Sequence, residues 1–169
     1  IAGIRPSADG YAKVEIAPNS YDNTPVETRT PFDSRAIRLR YDLPTDKPIF
    51  IYGGNMGRPQ GIPFLIECMK AVCNRTDCHF LIIGNGTEFP KLRDFVKQYH
   101  PRAVTLMQHL PKNEYDNLTR ACDVGMIFLD YKFTIPNYPS RLLPYLMERK
   151  PILAVTDEHS DIGSIAEAN

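Results

Sequence analysis

Net charge is what this sequence has least of. Lys+Arg and Asp+Glu balance at 20 each over 169 residues, for a formal net charge of +0. That balance excludes a broad basic field for nucleic acid and an acidic, self-repelling tail, so any anion site has to be local. No apolar run approaches the roughly 20 residues of a membrane span, and the opening IAGIRPSADG has neither a charged leader nor a long apolar core. The expectation is a soluble, cytoplasmic chain. Cysteine is scarce as well: Cys68, Cys73 and Cys78 recur every five residues and Cys122 stands apart. That spacing does not gather thiolates as a zinc knuckle does, and reduced thiols with no metal and no disulfide are expected. The four histidines, His79, His100, His109 and His159, show no spacing for a shared metal, and no Ser/His/Asp set can be read from the chain.

What the sequence has is repetition. Apolar, β-rich runs recur at Val14 to Ala17, Ile49 to Tyr52, His79 to Ile83, Val104 to Met107, Val124 to Leu129 and Pro151 to Val155. They are nearly continuous rather than alternating, the pattern of strands covered on both faces. Between them lie segments of helical period. In GIPFLIECMKAVCNR, Leu65, Met69, Val72 and Cys73 share a face, and Pro63 sits in the first turn, where its missing N–H costs nothing. Further helices are predicted over Pro90 to Tyr99, with Leu92, Phe95, Val96 and Tyr99 inward, over Asn113 to Ala121, and over Ser140 to Glu148. Strand–helix alternation with right-handed crossovers gives an α/β, Rossmann-like, doubly wound and mostly parallel sheet with helices on both faces. Ligands of such sheets bind where the loops gather at the strands' carboxyl ends. Residues 1–35, rich in Pro, Asn, Asp, Ser and Thr, read as a linker or crossing segment with one short strand. Residues 36–169 read as the domain proper, truncated in DIGSIAEAN inside a helix.

Three post-strand loops carry the candidate chemistry. In YGGNMGRPQGI, glycines let a backbone approach a ligand and aim amides at it, the following helix start favours phosphate, and Arg58 adds a full charge. The spacing is not G-x-G-x-x-G and no GK[ST] follows, so neither the dinucleotide fingerprint nor a P-loop is present. A glycine-rich turn with a solvated Arg58 is the alternative. In LIIGNGTEF, Gly84 and Gly86 flank Asn85, which reads either as a ligand loop or as a tight turn with Asn85 left-handed. In NYPSRLLPYLMERK, Ser140 is the expected N-cap and Arg141 falls in the first helical turn, where a cation opposes the helix dipole unless an anion lies nearby. A solvent-facing Arg141 is the alternative there. Pro144 is tolerable so early in a helix. His109 is the one histidine in a post-strand loop and a candidate ligand contact, or else a surface side chain.

In this order these loops resemble the C-terminal, nucleotide-sugar-binding half of GT-B glycosyltransferases, in particular the retaining family four, glycosyl transferases group 1. IAPNSYD is similar to its post-linker turn, YGGNMGRPQG to its donor loop, FLIIGNGTE to its strand-plus-GxG segment, VTLMQHLPKNEYDNLTRACDVGMIF to the following turn–helix–strand, and PSRLLPYLMERKPILAV to the signature helix and strand of polysaccharide and O-antigen enzymes. The resemblance implies a diphosphate held by backbone at Gly54, Asn55, Met56 and Gly57 and around Tyr138, Ser140 and Arg141. Arg58 and Gln60 fall on the family's basic pair, so one charge is kept, and Arg141 stands where relatives carry Lys or Arg. Arg58 and Arg141 would stabilise the leaving group. The base and ribose are expected near Asn85, Gly86, His109 and Leu110. The family's paired glutamates fall on Pro136 and Pro144, neither a carboxylate. The implied ligand is a nucleoside diphosphate sugar, a UDP-sugar favoured, with no further cofactor. An N-terminal acceptor domain is expected to be missing, leaving the fragment inactive alone, and the full-length protein is expected at the inner face of the membrane with a glycan or lipid-linked acceptor. A non-catalytic sugar-nucleotide-binding module and a sugar-nucleotide epimerase stay open as alternatives.

Overall fold

The computed structural model describes residues 32–132, 139–156 and 162. The expected strand at Val14 to Ala17 lies outside them. Five helices and five strands alternate: α1 Ser34–Arg40, β1 Ile49–Asn55, α2 Ile62–Val72, β2 His79–Asn85, α3 Phe89–Tyr99, β3 Val104–Met107, α4 Lys112–Ala121, β4 Val124–Phe128, α5 Leu142–Met147 and β5 Ile152–Val155, with a 3-10 turn at Arg58–Gln60. The strands form one sheet in the order β3-β2-β1-β4-β5, and every pairing is parallel. The chain winds outward from β1 to β3, crosses back over β1, and winds outward again, which makes the β1/β4 boundary the switch point of a doubly wound fold.

The continuous apolar runs divide by pleat. Tyr52, Phe80, Ile82, Met126 and Phe128 pack with Leu65, Met69, Leu92 and Phe95 of α2 and α3. Ile49, Ile51, Leu81, Ile83 and Ile127, one position out of phase, pack with Leu118 of α4 and with Leu142 and Tyr145 of α5. Period-two alternation is present but invisible in polarity, because both faces are covered. β5 departs from this, since Leu153 and Ala154 are exposed among the described residues.

Some details differ from the sequence reading. No expected element covers α1, a short helix that starts at Ser34 with Asp33 as N-cap, its Oδ1 accepting from the Ala36 N–H at 3.0 Å. Tyr99, expected inward, is 43% exposed. It lies at the last residue of α3, tilted against Phe95 with the Lys70 ammonium 5.5 Å from its ring, so its stem is covered while its edge meets solvent. α5 begins two residues later than expected. Arg141, with φ −65 and ψ −17, occupies the N-cap without a side-chain cap bond, and Ser140 belongs to the preceding turn, which closes through Leu142 N–H to Pro139 O at 3.0 Å. Pro144 is then the third helical residue, where its missing N–H is not needed. All four cysteines are free, and burial pushes the Cys122 thiol up to about 12.

His79 opens β2 and is 8% exposed, its Nε2 2.8 Å from Thr105 Oγ1 on β3. Burial first, and the Lys47 charge second, hold its pKa below the usual 6.5. The folded state therefore disfavours the imidazolium, so the stability that neutral His79 contributes is complete above about pH 6.5 and is lost as pH falls below it. A melting-temperature series from pH 7.5 to 5.0 is expected to fall more steeply for the parent than for His79→Gln. Parallel curves would exclude His79 as the source of the acid sensitivity.

Candidate functional site

The carboxyl ends of β1 and β2 and the loop after β3 meet the start of α5 around a cleft of about 960 Å³. This is the volume class of small-molecule sites, at the place where open parallel sheets bind ligands. The expected loop after β1 begins as strand: pairing with β2 continues through Gly54 opposite Gly84 and Asn55 opposite Asn85. The two strands close up there because Gly84 carries no Cβ. One placed on Gly84, at φ +155, would lie 1.9 Å from Gly54 O.

Of the residues expected at a ligand, the structure brings Gly54, Asn55, Gln60, His109, Leu110, Ser140 and Arg141 to this cleft. Met56, Gly57, Arg58, Asn85 and Gly86 do not line it, and Tyr138 and Pro136 lie outside the described residues. The reasons are local. Met56 is fully buried, its N–H donating to Asn85 O at 2.8 Å and its carbonyl accepting from Glu88 N–H at 2.9 Å. The Gly57 N–H donates to Gln60 Oε1 at 3.0 Å. Two of the amides expected to cradle phosphate are thus already satisfied, Met56 by the end of β2 and Gly57 within its own turn. Gln60, 8% exposed, pins that turn while also lining the cleft. Asn85 is not left-handed: the positive φ values fall on Gly84 and Gly86 at either side. Arg58 is exposed on the 3-10 turn.

Arg141 is the charged centre of the site. Its guanidinium carbon lies 4.4 Å from the Tyr52 ring centroid, and Nη2 donates to Asn55 O at 3.2 Å. The bare face of Gly54 meets Nη2, which would be 3.7 Å from a Cβ there. The carbonyl and the ring face answer the expected clash with the helix dipole, for the charge is carried across to β1. Nη1 is buried without a hydrogen-bond partner, and no carboxylate lies within ion-pair distance of Arg141 among the described residues. Burial raises the pKa of Tyr52, opposed by the Arg141 charge, and of Tyr115, opposed first by the neighbouring Thr119 and Tyr145 hydroxyls and then by the Arg141 charge, while burial holds Tyr145 well above the usual 10, so all three phenols are neutral.

The sequence and the fold are similar to those of known proteins. The family model described as Glycosyl transferases group 1 covers residues 33–131. The chain belongs to this family. Among curated relatives, WcaI of Escherichia coli K12, named for colanic acid biosynthesis, is 26% identical over 138 residues, 80% of this chain and 33% of that protein. The chain spans about a third of the length of the curated relatives it matches. Among solved structures, WaaG, a glycosyltransferase of lipopolysaccharide biosynthesis, superposes with TM-score 0.55 at 17% identity over 85% of this chain and 37% of its own. Anabaena HepE, solved with UDP-glucose, gives TM-score 0.56 at 14% identity over 75% and 34%. The described region shares the Rossmann-like, all-parallel fold of these solved structures.

The sequence reading did not pick out Tyr115 and Thr119 of α4, which line the cleft together with Arg120 of the same helix and Gly53 of β1. The signal was the i, i+4 spacing of two polar hydroxyl residues on the face that also carries Leu118, and the second glycine ahead of Gly54. A Cβ on Gly53 would lie 2.1 Å from Tyr115 Oη, so the hydroxyl rests directly on the end of β1. On α5, Pro144 and Glu148 line the cleft one turn apart, and Glu148 faces Arg120 at 3.7 Å. Among the described residues no group of three or more His, Cys, Asp or Glu is placed to hold a metal, and no helix is long and apolar enough to cross a membrane.

Proposed function

We propose that this chain is the donor-binding domain of a glycosyltransferase that adds a sugar to a cell-surface polysaccharide or lipid-linked glycan, with a nucleoside diphosphate sugar, UDP-linked, as donor. The observation that carries the reading is the half-buried Arg141 guanidinium, without an acidic partner among the described residues, at the wall of the cleft where β1 and β2 end. A diphosphate supplies the anion such a cation lacks. The relative solved with UDP-glucose and the names of WcaI and WaaG support the ligand and acceptor classes. In transfer, the acceptor hydroxyl oxygen bonds to the anomeric carbon as the bond from that carbon to the β-phosphate oxygen breaks, the electron pair leaving on the diphosphate, which can take up the hydroxyl proton. Arg141 stabilises that growing charge, with Arg58 adding to the field from outside the cleft. The acceptor, an N-terminal domain that holds it, and placement at the cytoplasmic face of the membrane belong to the same proposal.

Calorimetric titration with UDP, GDP, ADP and ATP tests it. UDP is expected to bind most tightly, and Arg141→Ala to weaken it by about 1.5–3 kcal/mol, the range of a charge-assisted hydrogen bond. Arg58→Ala, at an exposed position off the cleft, is expected to cost less than about 1 kcal/mol. Absence of binding to all four nucleotides would refute the donor reading, and an unchanged Arg141→Ala would refute the phosphate assignment.

A second reading has one observation in its favour. Pro144, which stands where the resemblance places a glutamate, lines the cleft and offers no carboxylate there. A binding module without transfer would follow, and it predicts donor binding with no product from the full-length protein and a lipid-linked acceptor.

A further inference from the structure

Four buried side-chain polar atoms of the described residues have no hydrogen-bond partner: Tyr52 Oη, Tyr115 Oη, Thr119 Oγ1 and Arg141 Nη1. Three of them belong to residues that line the cleft, Tyr115, Thr119 and Arg141. Away from the cleft lining, the buried Tyr145 Oη is satisfied, donating to Ile51 O at 3.1 Å, whereas Tyr52 Oη, whose ring lies under the Arg141 guanidinium, is not. An unpaired buried hydroxyl carries a desolvation cost that a phenylalanine or valine of the same shape would not. Thr119 is only 1% exposed, and it sits one helical turn from Tyr115 on the same side of α4. Tyr115 in turn is seated against the Gly53 backbone at the end of β1, near enough to Arg141 for the guanidinium charge to act on its phenol. None of the three orphaned groups makes a hydrogen bond of good geometry, although Tyr115 lies within interaction range of the Thr119 and Tyr145 hydroxyls, so a cation and two neutral hydroxyls stand together at the cleft.

We propose that Tyr115 and Thr119 form, with Arg141, an anion subsite at the inner wall of the cleft, where the two hydroxyls donate hydrogen bonds to phosphate oxygens of the ligand. This deepens the donor reading and rests on it for the nucleotide, though not for the anion. Hydroxyls beside a guanidinium suit phosphate: each donates one hydrogen bond, and the cation supplies the charge. Tyr115 and Thr119 are therefore binding residues contributed by α4 in addition to those of the loops.

The experiment compares this chain with Tyr115→Phe and Thr119→Val, which keep shape and remove one hydroxyl each. Binding of inorganic pyrophosphate, UDP and uridine is measured by calorimetry, and melting temperature alongside. Each variant is expected to bind pyrophosphate and UDP about fivefold to tenfold more weakly. Uridine affinity should stay unchanged and the melting temperature should not fall. Unchanged pyrophosphate and UDP affinity in both variants would overturn the subsite while leaving the donor reading standing. A fall of several degrees in melting temperature with binding intact would do the same, since it would show the hydroxyls to be structural. Pyrophosphate binding that weakens in the variants, in a chain that ignores every nucleotide, would keep the subsite and overturn the donor reading. A parent that binds neither overturns both.

Discussion

Arg38→Ala is expected to lower the free energy of unfolding by about 3–5 kcal/mol, the cost of breaking a buried ion pair from one side. Arg38 is 9% exposed, and each of its donor nitrogens is engaged. Nε donates to Ala121 O at 2.8 Å, Nη1 to Lys47 O at 3.2 Å and Nη2 to Asp123 Oδ2 at 2.8 Å. Asp123 Oδ2 also accepts the Ile49 N–H at 2.7 Å, so one guanidinium joins α1, the end of α4 and the first residues of β1 and β4. Alanine strips three acceptors of their donor and leaves Asp123 with only the amide. Because Asp123 is 44% exposed and gains water in exchange, the lower half of that range is favoured. Lysine keeps the charge but, as a point donor on a flexible stem, cannot span the planar fork, so Arg38→Lys should recover less than half. Denaturant unfolding of the three proteins checks this. A loss under about 1 kcal/mol would show that water replaces all three contacts. Nucleotide affinity should not change, since Arg38 is not part of the cleft wall.

Gly84→Ala is expected to cost a comparable amount and, unlike Arg38→Ala, to remove ligand binding with it. The added Cβ would stand 1.9 Å from Gly54 O and 3.0 Å from its carbonyl carbon, both backbone atoms of the paired strand, at φ +155. Neither atom can move without parting β1 from β2. Strain at a glycine-only conformation contributes about 1–3 kcal/mol and overpacking about 1–3 kcal/mol more. The displaced segment is the one that presents Gly54 and Asn55 to the cleft and gives Arg141 its carbonyl partner. Gly57→Ala is the control. At φ −94 its nearest contacts would be Asn55 Nδ2 and Gln60 Oε1, both at 3.2 Å, which are side-chain ends able to shift. Its cost should stay under about 1 kcal/mol. Thermal melts and UDP titration of both variants test the contrast, and a Gly84→Ala protein with parental stability would mean that the β1–β2 closure is not tight in solution.

By itself the sequence determined the layered α/β architecture, because continuous apolar runs and helical stripes are local patterns and parallel crossovers have one favoured hand. It located β3 at Val104–Met107 to the residue, placed α3 and α4 within one, and carried the α2 segment three residues past its end at Val72. It did not reveal α1, whose RAIRLR carries charge throughout and is anchored by a buried arginine instead of an apolar stripe. In the candidate site, the glycine loops, His109, Leu110, Ser140 and Arg141 could be read from the chain as residues of loops that follow strands. Which of them face one another could not. Membership of the cleft depends on strand order, which brings Arg141 beside Asn55, 86 residues earlier, and on hydrogen bonds that consume the Met56 amide at the end of β2 and the Gly57 amide inside its turn. Tyr115 and Thr119 join them for a geometric reason alone: α4 crosses the end of β1 at Gly53, where the missing Cβ leaves room for a phenol. Local periodicity decides which element a residue belongs to, whereas the contacts between elements, set by packing across the whole sheet, decide what that residue touches.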